Sequence, residues 1–198
     1  MKNAFYIAAL GITALAAPTV ATAQQAPPAV VVVVDADRIY RECNACRTAQ
    51  AGLQTRVTAL QARQQTLSTQ LRNEGQPIEA AVRALNGAQP DAALRGRVTA
   101  FQTKQEQANQ ELQRSQQNLQ SIQANIVRQI NARLNPAINQ VMTARGANIA
   151  VDVSSTLAHT GSINVTTAVL AALNSTLPSV TLTPLPAQAQ TQTQPSGR

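Results

Sequence analysis

Residues 53–71 read LQTRVTALQARQQTLSTQL, and their apolar side chains recur at helical spacing. Leu53, Val57, Leu60, Leu67 and Leu71 are separated by 4, 3, 7 and 4 residues. This spacing places all five on one stripe of an α-helix, where they can pack against a second helix. The stretch therefore predicts one arm of a coiled coil and sets the fold class.

A second stripe with the same spacing follows downstream. Its members are Leu94, Val98, Phe101, Ala108, Leu112, Leu119, Ile122 and Ile126. Residues 86–91, NGAQPD, carry the Asn-Gly and Pro-Asp pairs that are typical of turns. The stripes at 53–85 and 94–126 have equal lengths, about 48 Å each at 1.5 Å per residue. We therefore expect an antiparallel helical hairpin over residues 46–145, with its tip near 86–91.

The first arm contains two residues that disfavour helices. Ile78, Val82 and Leu85 keep the apolar spacing beyond Gly75 and Pro77. We therefore expect these two residues to bend or loosen the arm rather than end it. The outer faces carry mostly Gln, Asn, Thr and Ser, with few of the ion pairs that stiffen exposed helices, so the arms should be pliable.

Strand-like segments flank the hairpin on both sides. Residues 30–34 are five consecutive valines, which predicts a strand buried on both faces within a first body segment, 24–45. After the hairpin, Ile149, Val151 and Val153 alternate as in a second strand, and a short amphipathic helix follows. Residues 146–177 are expected to complete the body.

The body should lie at the base of the hairpin, because both strand regions adjoin it. A body this small usually needs staples or partners to be stable, so we expect an oligomer. Residues 178–198 consist mainly of Pro, Gln, Thr and Ala. This composition predicts a disordered tail.

The N-terminus has the layout of a secretory signal peptide. Residues 1–23 contain Lys2, an apolar run, and small residues at Ala21 and Ala23, which predicts cleavage after Ala23. The apolar run is shorter than the ~20 residues that a membrane-spanning helix needs. We therefore expect the mature protein to be soluble outside the cytoplasm.

The positive charge is concentrated on the hairpin. Residues 56–145 contain eleven Lys and Arg against five Asp and Glu, whereas the segments on either side are balanced. Export makes nucleic acid an improbable partner, and Tyr40 and Phe101 are too few aromatics to stack single-stranded bases. Lipopolysaccharide, an anionic membrane surface and acidic protein clients remain as partners for a basic surface.

The only cysteines lie in residues 41–48, RECNACRT. Zinc needs four ligands, and His159 is the only histidine. In the first turn of a helix, the Cα atoms of Cys43 and Cys46 would be about 5–6 Å apart, within reach of a disulfide. An oxidising compartment favours that bond. We expect a disulfide that pins the body to the arm, with no metal and no catalytic turnover.

The order of these parts resembles the OmpH/Skp family of periplasmic chaperones. The matching segments are 33–35 (VVD), 39–40 (IY), 146–152 (GANIAVD) and 172–174 (ALN). The resemblance covers roughly residues 30–177. Two features depart from the family: the arms are rich in Gln where relatives use Lys and Glu, and the cysteine pair stands where relatives have a plain turn.

The resemblance implies a mostly α fold with a small β body (α+β), in which three hairpins hang from a common trimer core like the arms of a jellyfish. It implies an ATP-independent periplasmic holdase for unfolded outer-membrane β-barrel proteins, with no cofactor. The expected client-binding residues are Arg83, Arg95, Arg97, Lys104 and Arg114. The expected oligomer core consists of Val31, Val32, Val33, Ile149 and Val151.

Two other functions are compatible with parts of the sequence. A coiled-coil spacer or envelope adaptor without clients would share the hairpin, although the tip offers no apolar anchor. A thiol oxidoreductase would use Cys43 and Cys46, although no βαβ pattern surrounds them as in a thioredoxin-like fold. We find no Ser–His–Asp set, phosphate loop or paired-carboxylate site, and we do not expect an enzyme.

Overall fold

The computed structural model describes residues 27–186, most of which are helical. The elements in chain order are β1 (Val31–Val34), α1 (Ala36–Glu42), α2 (Asn44–Ala84), α3 (Ala92–Ala144), β2 (Ile149–Asp152) and α4 (Thr166–Thr176). Two short 3₁₀ turns, Val153–Ser155 and Gly161–Ile163, connect β2 to α4. The expected fold class, a long helical hairpin on a small strand-containing body, is confirmed.

Helices α2 and α3 run antiparallel. Arg63 pairs with Glu111, and farther along α2 Glu74 pairs with Lys104, so the paired positions move in opposite directions along the two helices. The helices have 41 and 53 residues, and α2 continues through Pro77 without a break. The arms are therefore unequal, because α3 extends beyond its stripe into the body.

The turn between the helices lies where the sequence predicts the tip. Asn86 and Gly87 have φ of +48° and +92°, a backbone region that residues other than Gly and Asn seldom adopt. Helix α3 then begins behind Asp91, whose Oδ1 accepts a hydrogen bond of 2.7 Å from the backbone N–H of Leu94. Turn residues and an N-cap thus fix where the chain reverses.

A short helix, α1, precedes the arm and was not predicted from the sequence. Asp35 caps α1 by accepting a hydrogen bond of 2.7 Å from the backbone N–H of Arg38. Cys43 has extended backbone angles, so it ends α1 and serves as the N-cap of α2. The body therefore turns into the arm at the first cysteine.

The two strands form a parallel pair. Val31 is in register with Ile149, and Val34 with Asp152. Side chains alternate between the faces of a strand, so Val32 and Val34 share one face, which packs into the core. The strand is not buried along its whole length as expected, since Val31 at its start is exposed.

The core lies where the strands, α4 and the base of the hairpin meet. Its members are Val32, Val34, Ile39, Cys43, Ala45, Cys46, Ala49, Ile122, Ile126, Ile130, Leu134, Ala137, Val141, Val165, Val169, Leu173 and Leu177. Most of them are aliphatic, as expected from a chain so poor in aromatic residues. None comes from the outer two thirds of α2, so the tip projects away from this core.

The segment after α4 corrects the predicted boundary of the tail. We expected residues 178–198 to be disordered, but residues 178–186 lie against the hairpin, and the Leu185 side chain is buried. Apolar residues at alternate positions, including Val180 and Leu182, pack against the core and explain the difference. Residues 187–198 and the expected signal peptide, residues 1–23, lie outside the described part of the chain. Between residues 27 and 186, no helix has the length and apolarity to cross a membrane.

Candidate functional site

Two open grooves lie on the arms near the tip, and we call them the distal grooves. The first has a volume of about 420 Å³, and the residues that characterise it are Ile78, Ala100, Phe101, Arg97 and Lys104. The second has a volume of about 450 Å³, and it is lined by Ile78, Glu79, Val82, Arg83 and Val98. Both combine apolar residues of the two helical stripes, which we call the seam, with basic side chains.

The first groove depends on a close approach between a glycine and an aromatic ring. A Cβ atom at Gly75 would lie 2.8 Å from Cζ of Phe101, which is too close for a real contact. Gly75 therefore leaves room for the ring between the helices. Phe101 remains half-buried, and Val82 is 46% exposed. Apolar surface is thus left open to solvent on the arms.

Three of the five basic residues expected to bind clients line the distal grooves. Arg83 lines the second groove, and Arg97 and Lys104 line the first. Lys104 also forms an ion pair with Glu74 across the arms, with an Nζ–Oε2 distance of 2.5 Å. It therefore joins the two helices as well as facing the groove.

The other two residues of that set do not line the distal grooves. Arg95 is exposed and donates a hydrogen bond of 2.7 Å from Nη1 to the backbone oxygen of Pro90, at the tip. Arg114 is exposed on α3, nearer the body. The structure therefore divides the predicted set into groove-lining and outlying members.

Ion pairing leaves the surface of the arms positive. The Arg63 guanidinium donates hydrogen bonds to Glu111 and holds the pKa of that carboxyl below its usual range. Glu74 is paired with Lys104, and Asp91 caps α3. Three of the five arm carboxylates are thus engaged within the arm, and the unpaired arginines dominate what a partner meets.

Cys43 and Cys46 are joined by a disulfide in the structure, with their Cα atoms 5.1 Å apart. Their exposed fractions are 0% and 1%. The backbone N–H of the next residue, Asn44, donates a hydrogen bond of 2.9 Å to the side chain of Asn174 on α4. The disulfide therefore sits at the junction of body and arm, covered by the body.

The residues expected in an oligomer core lie on different faces of the sheet. Val32 packs into the core of its own chain, because strand alternation points it inward, and its place in an oligomer core stays a prediction. The sheet register and alternation place Val31, Val33, Ile149 and Val151 on the opposite face. Val31 and Ile149 are paired in register and are 36% and 42% exposed.

A polar junction at the ends of the two strands was missed by the sequence analysis. The backbone N–H of Asp35 donates to Oγ1 of the buried Thr166 at 2.9 Å, and that of Ala36 donates to Oδ2 of Asp152 at 3.2 Å. Hydrogen bonds from Ser154 and Ala36 lower the pKa of Asp152. A Val-Asp pair closes each strand region, at 34–35 and 151–152, and this repetition was the available signal.

The lone histidine lies in the loop before α4. His159 is exposed, and its Nε2 lies 3.2 Å from Nδ2 of Asn164. Among residues 27–186, no three His, Cys, Asp or Glu side chains are grouped so that they could hold a metal ion.

Comparison with known proteins places this fold and these features in a family. The family model for outer membrane protein (OmpH-like) matches residues 30–173. No curated protein gives a significant match. The crystal structure of an OmpH-like candidate outer membrane chaperone from Caulobacter crescentus CB15 superposes with a TM-score of 0.67 at 20% identity, covering 84% of this chain and 99% of that one. The shared fold and the family match over most of the chain show that this protein belongs to the OmpH-like outer membrane protein family.

Proposed function

We propose that this protein is an ATP-independent periplasmic holdase, which binds unfolded outer-membrane β-barrel proteins and prevents their aggregation before membrane assembly. Its family supports a general role as a periplasmic chaperone of outer membrane proteins. The observation that carries the finer proposal is the pair of distal grooves, where apolar and basic side chains lie open together at the far end of the arms.

Holding requires no reacting group. An unfolded chain offers apolar side chains to Ile78, Val82 and Val98, and its carboxylates to Arg83 and Arg97. Each contact is weak, but several arms acting on one client raise the affinity by multivalency and leave the client mobile. The same arginines would attract lipopolysaccharide or an anionic membrane surface. Nucleic acid is not among the proposed partners.

The arms must surround a client for this mechanism, and we propose a homotrimer joined through the outer face of the sheet. Val31 and Ile149 supply exposed apolar surface there. Ile149→Glu should therefore yield monomers in sedimentation velocity. Val127→Glu is the matched control, because Val127 is 45% exposed but lies on α3. An unchanged oligomer of the Ile149 variant would contradict the proposed interface.

The proposed location depends on the signal peptide. N-terminal sequencing of protein from a periplasmic extract should begin at Gln24, after cleavage behind Ala23. A mature protein that still begins at Met1 would contradict export by this route.

The function is tested by diluting an unfolded outer-membrane β-barrel protein from urea and following its light scattering. The protein should suppress the scattering at stoichiometric concentration without nucleotide. Arg83→Gln with Arg97→Gln should weaken client binding and reduce its salt dependence. The control pair, Arg95→Gln with Arg114→Gln, removes the same charge outside the distal grooves. Equal losses from both pairs would assign binding to net charge, and no suppression by the unaltered chain would refute the holdase.

Neither alternative function has comparable support. A thiol oxidoreductase must expose a sulfur to its substrate, whereas Cys43 and Cys46 are buried. An envelope adaptor without clients would share the hairpin, and the light-scattering experiment separates it from a holdase, because an adaptor leaves aggregation unchanged.

A further inference from the structure

The extended segment after α4, which we call the strap, runs along the base of the arms. It comprises residues 178–186. Thr181 at its start bonds to Gln129 of α3, whereas Leu185 near its end bonds to Ser121, so the residue numbers rise along the strap and fall along α3. Because α3 runs from the tip to the body, the strap climbs from the body toward the tip.

The contact at the start of the strap has the form of strand pairing. The backbone N–H of Thr181 donates to Oε1 of Gln129 at 3.0 Å, and Nε2 of Gln129 donates to the backbone oxygen of Thr181 at 3.0 Å. One carboxamide therefore satisfies both main-chain groups of one residue, as a neighbouring β-strand would.

Two further contacts continue in the same direction. Nδ2 of Asn125 donates to the backbone oxygen of Thr183 at 2.9 Å, and the backbone N–H of Leu185 donates to Oγ of Ser121 at 2.9 Å. All three side chains from α3 thus reach main-chain atoms of the strap. We call Ser121, Asn125 and Gln129 the polar ladder.

The spacing of the ladder matches that of an extended chain. Its members are four residues apart, which is about 6.0 Å along an α-helix. The strap residues that they bind are two apart, which is about 6.6–6.8 Å along a strand. The two spacings therefore match over all three contacts. The hydrogen bonds select an extended backbone rather than particular side chains.

The residues on either side of Thr181 supply apolar contacts. Val180 and Leu182 pack against the core, and Leu182 lies over Gly52 of α2, where a Cβ atom would collide with it. Gly52 and the polar ladder together define what we call the root groove. The strap lies in it with its main chain toward α3, with apolar residues at positions 180 and 182 and with a third buried apolar side chain at Leu185.

We propose that the root groove also binds extended segments of unfolded client chains, with the strap as a resident occupant that a client displaces. The inference rests on the proposed holdase function and adds a second contact region, which selects extended backbone with alternating apolar and polar residues. Transmembrane β-strands carry this alternation, so unfolded barrel proteins supply such segments.

Two full-length variants distinguish the role of the strap from that of the groove in which it lies. Thr181→Pro with Leu182→Ser removes the two hydrogen bonds that the backbone N–H and Oγ1 of Thr181 donate to Gln129, together with the apolar anchor, and leaves the residues of the groove unchanged. Gly52→Leu fills the seat of Leu182, and leucine favours the helix more than glycine does. Hydrogen exchange should show faster exchange of residues 180–186 in both variants, with an unchanged body.

The affinities of the two variants for client should then differ. In an anisotropy titration with a labelled unfolded β-barrel protein, the strap variant should bind about threefold or more tightly than the unaltered chain, because the competing segment is gone. Gly52→Leu should bind no more tightly than the unaltered chain. If both variants gain affinity alike, or if the released strap leaves affinity unchanged, the proposal is wrong.

A second probe makes the result independent of the holdase proposal. A labelled peptide of residues 178–186, PSVTLTPLP, should bind the strap variant and fail to bind it when Gly52→Leu is added. That outcome with no client binding by any variant would preserve the groove and refute the holdase. A peptide that binds neither form would refute the groove, whatever the clients do.

Discussion

The base and the tip of the arms are built from the same two helices but are packed differently. Near the body, Ile122, Ile130 and Leu134 of α3 are almost fully buried. Near the tip, Leu94 is buried, but Phe101 is only half-buried and Val82 is 46% exposed. A third layer explains the difference: α4, the strands and the strap cover the base, whereas the distal part of the hairpin has no covering element in the described chain.

This contrast separates stability from binding. Burial of aliphatic side chains at the base stabilises the fold, since each fully buried Leu or Ile contributes about 1.5–3 kcal/mol. The distal arms retain their helices but leave apolar and basic groups open to solvent. With such an arrangement, the arms can change conformation near the tip while the base stays folded.

The contrast predicts unequal costs for the same substitution in the two regions. Leu173→Ala removes a fully buried side chain from the body and should lower the free energy of unfolding by about 3 kcal/mol. Leu112→Ala, at a half-buried seam position, should cost about 1 kcal/mol or less. Urea unfolding followed by circular dichroism, at one protein concentration, checks both values. Equal costs would mean that the arm at Leu112 is as well packed as the body.

The disulfide provides a second comparison, because it lies at the boundary of the two regions. Cys43→Ser with Cys46→Ser should lower the melting temperature. The free energy of unfolding should fall by at most about 2 kcal/mol, because the disulfide closes only a short loop. Suppression of client aggregation should remain, because the distal grooves are far along the arm. Mass spectrometry without reductant should show the pair oxidised in native protein; two free thiols would contradict the staple.

The features predictable from sequence were those that repeat along the chain. The apolar stripe that begins at Leu53 repeats over many turns, and the Asn-Gly pair at Asn86 has few structural alternatives, so the hairpin and its tip followed directly. Valine-rich segments on both sides of it indicated the body. Each of these signals is local in sequence and repeated or chemically distinctive.

Contacts between distant segments were not predictable in the same way. The pairing of Gly75 with Phe101 and that of Gly52 with Leu182 depend on which helix faces meet, and one sequence does not specify this. The composition of residues 178–198, mainly Pro, Gln, Thr and Ala, predicts a disordered tail and hides the more apolar strap at its start. Its order comes from partners on α3 such as Gln129, which lies 52 residues away in sequence.

Acid should destabilise the body through Asp152. Hydrogen bonds from Ser154 and Ala36 lower the pKa of Asp152, so the folded state favours its ionised form. The resulting stabilisation is fully present above the ordinary aspartate pKa of about 3.9 and is lost as the pH falls through the lower folded value. Asp152→Ala should cost about 1 kcal/mol at neutral pH and flatten the acid limb of the stability profile. An acid limb identical to that of the unaltered chain would contradict this role.

The smallest effect is expected from the ion pairs between the arms. Nε of Arg63 and Oε1 of Glu111 are 2.6 Å apart, but the two side chains are 47% and 44% exposed. Water therefore screens the attraction, and the entropy lost in ordering two long side chains opposes it. In a double-mutant cycle with Arg63→Gln and Glu111→Gln, the coupling should fall within the error of urea unfolding at physiological salt. Glu106→Gln, which changes an exposed acid of the same helix, serves as the control for charge alone. A clear coupling that persists at about 1 M salt, where the screening length is near 3 Å, would show that the arms are fastened electrostatically and are not pliable.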